Sequence, residues 1–169
     1  MTDKHIETER KYIIEMPDVA LLQKEKGYFK SEIVQIYLES EPHVTRRVRS
    51  RTSEGGTVYT ETKKIRISKM SAIEDEREIS ELEFSELLKK VRCGSSPIKK
   101  VRHAFSYCDG AFEIDVYPYW KRTAILETEL PCETTVIKMP PYVKILREVT
   151  GEREYTNSAM ANSFPKEII

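Results

Sequence analysis

The stretch HIETERKYII, residues 5–14, places a charged side chain at every second position from Glu7 through Glu9 to Lys11. Side chains of a strand alternate between its faces, so these three share one side. On the outer face of a sheet such a row serves solubility. On an inner face the charges must hold something. Which face it is decides the fold.

The pattern recurs along the chain. Arg47, Arg49 and Arg51 share a face, as do Glu61 and Lys63, and Glu74, Glu76 and Glu78 form another row. Lys100 with Arg102, Glu113 with Asp115, and Glu127 with Glu129 repeat it. Phe112, Ile114 and Val116 back one acidic pair, and Leu126 and Leu130 flank the other, so those strands have an apolar side that needs a core. A single charged row is most simply a solvated face. Solvent faces, however, normally mix both signs, whereas here the rows are segregated by sign. Rows of like charge cost stability unless counter-charges arrive. A barrel whose lumen sets acidic rows against basic rows is satisfied by a metal ion and a polyanion together.

With 169 residues the chain suits one domain, taken as 1–169, with a core of its own or a single barrel. It is 39% hydrophobic and 33% charged, with 28 basic and 28 acidic residues. A zero balance argues against a nucleic-acid partner, which calls for a basic excess or stripe. Cys93, Cys108 and Cys132 are odd in number and show no metal spacing. They argue against a disulfide scaffold, read as inert buried thiols, and make a reducing cytoplasm the default. The start MTDKHIETERK has no apolar run, and no stretch reaches membrane-spanning length, so a soluble protein with no membrane partner is expected.

After the first strand, MPDVALLQKEKGYF reads as a short helix ended at Gly27. Strands follow at 32–40, with Ile33, Gln35 and Tyr37 on one face, and at 44–52, 57–65 and 72–80, with EGG (54–56) as a hairpin turn. Residues 81–91 carry Leu82, Phe84, Leu87, Leu88 and Val91 at helical spacing. Further strands are expected at 98–107, 110–118 and 124–131, then a C-terminal helix over 140–152 and a short docked tail. This is a mainly β chain with short helices, and sequential hairpins of this kind close best into a barrel. His5, His43 and His103 are isolated and read as solvent or edge residues. Tyr12, Tyr37, Tyr59, Tyr119 and Trp120 read as core or rim packing.

Carboxylates in such rows supply hard oxygen ligands suited to Mg²⁺ or Mn²⁺. Arginines match phosphate oxygens bidentately and lysines act as point charges. A cage of both kinds suits a chain of phosphates with its divalent ion, since phosphoryl transfer needs chiefly positioning and charge neutralisation.

The order of these motifs resembles that of the CYTH domain, or triphosphate tunnel metalloenzyme, superfamily. Glu7-Thr8-Glu9-Arg10-Lys11 is similar to its opening ExExK, Val48-Arg49-Ser50-Arg51 to its apolar-Arg-x-Arg strand, and YTETK ending at Lys63 to its aromatic-x-T-x-K strand. IEDEREI (73–79) resembles its ExExE, Lys100-x-Arg102 its K-x-R, Glu113-x-Asp115 its acidic hairpin, and Glu127-x-Glu129 its late E-x-E. Residues 149–161 resemble the C-terminal segment of short bacterial members. Glu61 stands where Thr is common, and Ala72 where Arg often precedes the ExExE strand.

The resemblance implies an eight-stranded antiparallel closed tunnel barrel that holds a triphosphate and a divalent metal. It implies Glu7, Glu9, Asp115, Glu127 and Glu129 on the metal side, and Lys11, Arg49, Arg51, Lys63, Lys100 and Arg102 as phosphate binders. Arg47 is the alternative to Arg51, two residues away in register. Glu76 and Glu78 would take a second metal or orient water, so the catalytic set is Glu9, Lys11, Glu76, Glu78 and Glu129. The implied activity is a Mg²⁺- or Mn²⁺-dependent triphosphatase acting on inorganic triphosphate or a small organic triphosphate such as thiamine triphosphate. The alternatives are a class IV adenylate cyclase making cyclic AMP and pyrophosphate, and a triphosphate sensor without turnover. A monomer and a homodimer are both compatible with the sequence.

Overall fold

The computed structural model describes residues 3–168. Its strands are β1 (Asp3–Glu15), β2 (Lys26–Leu38), β3 (Val44–Ser53), β4 (Gly56–Arg66), β5 (Ser71–Ile79), β6 (Ile98–Tyr107), β7 (Gly110–Val116), β8 (Thr123–Glu129) and β9 (Ile145–Glu148). Short helices α1 (Val19–Leu22), α2 (Glu81–Leu87) and α3 (Asn157–Met160) are interspersed. The antiparallel strand order is β5-β4-β3-β2-β6-β7-β8-β1, and a further β5–β1 pairing closes these eight strands into a barrel.

The long β1 makes the closure. Asp3–Thr8 pair with β5, and Glu9–Glu15 pair with β8 on the other edge. Strand β9 then takes the edge of β1 that β5 leaves open, at Tyr12–Ile14.

Apolar residues settle which face is out. Tyr12, Ile14, Phe105, Phe112, Ile114, Ala124 and Leu126 form an outer cluster, covered by Leu22 of α1 and by Ile137, Met139, Tyr142 and Val143. Leu38, Val48 and Ile79 form a second one under Leu87 of α2, whose N-terminus Ser80 caps by accepting from the Glu83 N–H. The opposite parity faces the bore. Along β1 it runs from Glu7, Glu9 and Lys11 to Ile13, and Ile13 joins Ile98, Tyr117, Ile125, Tyr155 and Met160 in an apolar plug. The bore is therefore ionic for most of its length and greasy at one end, with two apolar clusters on the outer face of the barrel.

Several expectations are corrected. The segment 140–152 holds no helix. Pro140 and Pro141 lack N–H donors, and Val143, Ile145, Val149 and Thr150 suit extended chain. The open edge of β1 supplies the partners: Lys11 O accepts from the Val149 N–H at 2.9 Å, and the Lys11 N–H reaches Thr150 Oγ1 at 3.0 Å. The first helix ends at Leu22, and Gly27 (φ +67°) lies inside β2 at an irregularity between Lys26 and Phe29. The cysteines are exposed, not buried. They sit at turns and connections where no core covers them. His103 is buried behind β6, its Nδ1 2.9 Å from the Tyr28 hydroxyl.

Candidate active site

The bore opens into a cavity of about 870 Å³. Its wall carries Glu7, Glu9 and Lys11 from β1, Arg47, Arg49 and Arg51 from β3, and Thr62, Lys64 and Arg66 from β4. Glu74 and Glu76 come from β5, Arg102 from β6, Glu113 from β7, and Glu127 and Glu129 from β8. In the closed order of eight, β3 and β8 stand four strands apart. The arginine row therefore faces the Glu127–Glu129 row across the bore.

The sign segregation leaves particular groups on each wall crowded by like charge. On the acidic side Glu9 pairs in register with Glu129, and Lys11 with Glu127. Burial first, then the Glu127 carboxylate, pushes the Glu9 carboxyl up to about 7, with Lys11 opposing. Burial, then Glu7, also raises Glu129. On the basic side, burial and the neighbouring Arg47 bring Arg49 down to about 10, with Glu76 opposing. Arg47, Arg49 and Arg51 each hold a buried Nε with no hydrogen-bond partner among the described residues. A buried donor left unpaired costs roughly 1–3 kcal/mol. Three such donors in one row fit an anion of several oxygens.

Other charges are paired already. Lys11 Nζ lies 2.8 Å from Glu127 and donates to the Tyr155 carbonyl at 3.3 Å. Burial opposes the Lys11 charge, but Glu127 and Glu9 outweigh it and raise its pKa. Lys64 bridges Glu7 and Glu74, the latter at 3.1 Å, and Arg47 approaches Glu74 at 3.8 Å. Glu76 accepts from Arg49 at 3.1 Å and from Thr62 at 2.7 Å. Below them Arg102 grips Asp115 with Nε–Oδ1 at 2.6 Å, reaches Glu127 at 2.9 Å and contacts Glu113.

Most of the side chains expected from the sequence meet in this cavity: Glu7, Glu9, Lys11, Arg49, Arg51, Glu76, Arg102, Glu127 and Glu129 all line it. Four do not. Lys63 points outward and is exposed, and Lys64 takes the inner position. Lys100 and Asp115 face inward but lie beneath the cavity floor, 2.5 Å apart and almost fully buried. Burial and Arg102 hold Lys100 down to about 8. Glu78 sits exposed at the end of β5, outside the cavity wall. Sequence reasoning missed Lys64, Thr62 and Arg66, and the polar tail residues Arg153, Thr156 and Asn157 that also line the space. Parity offered a signal for the first three. Tyr59 and Ile65 share the face of Lys63, and apolar residues lie outside, so Lys64 must lie inside.

The donor set suits a hard divalent cation. Glu7, Glu9, Glu127 and Glu129 offer carboxylate oxygens on the adjacent strands β1 and β8, the donor type a hard divalent cation takes. Among the described residues no three acidic, His or Cys side chains are already gathered into a ready-made ion cage. The carboxylates that now hold Lys11 and Lys64 would have to turn toward the ion.

No family model and no curated protein matches the chain in sequence. Solved structures do match. The inorganic triphosphatase NE1496 is 25% identical over 95% of this chain and 97% of its own, with a TM-score of 0.59. The PH1819 protein from Pyrococcus horikoshii is 19% identical over 75% of this chain and 80% of its own, with a TM-score of 0.56. A candidate adenylate cyclase from Bacillus halodurans is 18% identical over 77% and 83%, with a TM-score of 0.55. The last two share the fold.

Proposed function

Because the chain carries the CYTH, or triphosphate tunnel, fold, we propose that it is a divalent-metal-dependent triphosphatase acting on inorganic triphosphate or a small organic triphosphate. One observation carries the reading: three buried guanidinium Nε donors without partners, on the strand that faces the Glu127–Glu129 row. A row of this length and sign fits a chain of phosphates. The likeness to an inorganic triphosphatase over 95% of this chain supports the same substrate class.

In this reading Arg47, Arg49, Arg51 and Lys64 bind phosphate oxygens and neutralise the charge that develops as the terminal bond breaks. Lys11, fixed by Glu127 and the Tyr155 carbonyl, keeps its proton and adds a fixed positive charge beside them. Glu7, Glu9, Glu127 and Glu129 would hold the cation. A hard divalent ion such as Mg²⁺ or Mn²⁺ held by these carboxylates would supply Lewis-acid neutralisation of phosphate charge. Glu76, beside Thr62 and Arg49, orients the phosphate-binding guanidinium. Arg102, Asp115 and Lys100 form the ionic floor that holds Glu127 in place.

Incubation with Mg²⁺ or Mn²⁺ and either tripolyphosphate or ATP tests the proposal by its products. Orthophosphate from tripolyphosphate, abolished in Glu129→Gln, is expected. Cyclic AMP with pyrophosphate from ATP would replace the reading with the cyclase. Tight binding without products would replace it with a sensor.

A further inference from the structure

The outer wall of β1, β5, β4 and β3, beyond the end that α2 covers, carries a surface that the enzymology does not use. Strand register aligns Ile6, Ile73, Ile65 and Val44 in one row across β1, β5, β4 and β3. The next row is Lys4, Asp75, Lys63 and Arg46. Ile6 is 65% exposed and Ile65 44%. Together with Glu39 and Glu41 on the β2–β3 loop, Val44, Ile65, Ile73 and the charged row line a groove of about 300 Å³, and Ile6 continues the stripe beside it. A contiguous aliphatic stripe framed by charge marks an interaction site. Asp75 adds an unmet demand, since its Oδ1 is buried there without a hydrogen-bond partner.

We propose that this face binds a second copy of the chain. The charges say so. A two-fold axis parallel to the strands lays stripe on stripe and reverses the charged row. Asp75 of one copy then meets Lys63 of the other, twice over, while Lys4 falls opposite Arg46, beside the acidic Glu39–Glu41 loop. Arg46 adds no repulsion to this arrangement, because Glu61 holds its guanidinium at 2.6 Å within its own chain. A two-fold interface must be self-complementary in this way. A foreign partner would not require both signs in reversed order. The bores stay free, since the paired faces lie on the outside of the barrels.

Sedimentation velocity over a micromolar dilution series tests it, with thermal melts to confirm folding. The wild-type chain is expected to sediment as a dimer. Ile6→Asp and Lys63→Asp, both at exposed positions, should each give a folded monomer. The swap Lys63→Asp with Asp75→Lys in the same chain should dimerise again. A wild-type monomer throughout the series overturns the proposal. So does a dimer that persists in both single variants.

Discussion

Lys63 and Lys64 are neighbours of the same chemistry, separated only by the parity of β4. Lys64 sits in the bore between Glu7 and Glu74, while Lys63 looks into solvent. Lys64→Ala should therefore weaken the transition state for tripolyphosphate hydrolysis by roughly 2–4 kcal/mol, the scale for truncating a buried, paired charge. Lys63→Ala should leave kcat and KM within about twofold, as expected for a surface change. Steady-state kinetics of the two variants decides, and equal losses would contradict the assigned faces. Alternation made most of the site legible at this scale, because a charged row names its own face. Depth was not legible. Lys100 and Asp115 share the inner parity, yet they lie at a level where the apolar plug and Arg102 already enclose them. Alternation distinguishes inside from outside and says nothing about position along the bore. The arginine row illustrates the same limit from the other side. Arg47 and Arg51 were alternatives in sequence, and the structure brings both to the cavity.

Hairpin strands were legible as elements because turn residues bound them and their period is two. The segment 140–152 was not. Its apolar residues Tyr142, Ile145, Leu146 and Val149 fit a helical face as well as a strand, and what decides is remote in sequence: an unpaired edge of β1. The consequence reaches the site, since the turn after β9 carries Tyr155 to Lys11. That turn depends on Gly151, at φ +73°, where an added Cβ would stand 2.8 Å from Lys69 Cβ and 3.1 Å from its carbonyl oxygen. Gly151→Ala combines a left-handed backbone, costing roughly 1–2 kcal/mol, with a clash that must push the tail outward. We expect a lowered Tm, by several degrees at roughly 2–4 °C per kcal/mol for a chain of this size. Catalysis should also fall in the Gly151→Ala chain at temperatures where it remains folded. A drop in Tm with full activity would show that the Tyr155 carbonyl does not position Lys11.

At the scale of the whole molecule, the barrel holds acids of like charge against one another, and its stability must follow their protonation. Glu9 titrates near 7 in the fold against an ordinary value of 4.5, and Glu129 is shifted the same way. The folded state thus keeps a proton that the unfolded chain has already lost, so stability falls as pH rises from about 4.5 to about 7. Glu127 and Asp115, shifted downward, contribute stability that is nearly complete above about pH 5 and is lost toward more acid pH, so they add little slope above that point. Above it Lys100, held near 8, begins to contribute with the opposite sign. Measured without divalent ions or phosphates, Tm should therefore decline between pH 5 and pH 7, and Glu9→Gln should flatten the decline. Addition of Mg²⁺ with tripolyphosphate should reverse it at pH 7, because ligand at 100 times its Kd stabilises by about 2.7 kcal/mol. The same titration couples to function: below neutrality the cation competes with the Glu9 proton, so metal affinity should rise with pH up to about 7 and then level. A Tm that is flat or rising over this range in the metal-free protein would mean that the acids are not crowded in the bore.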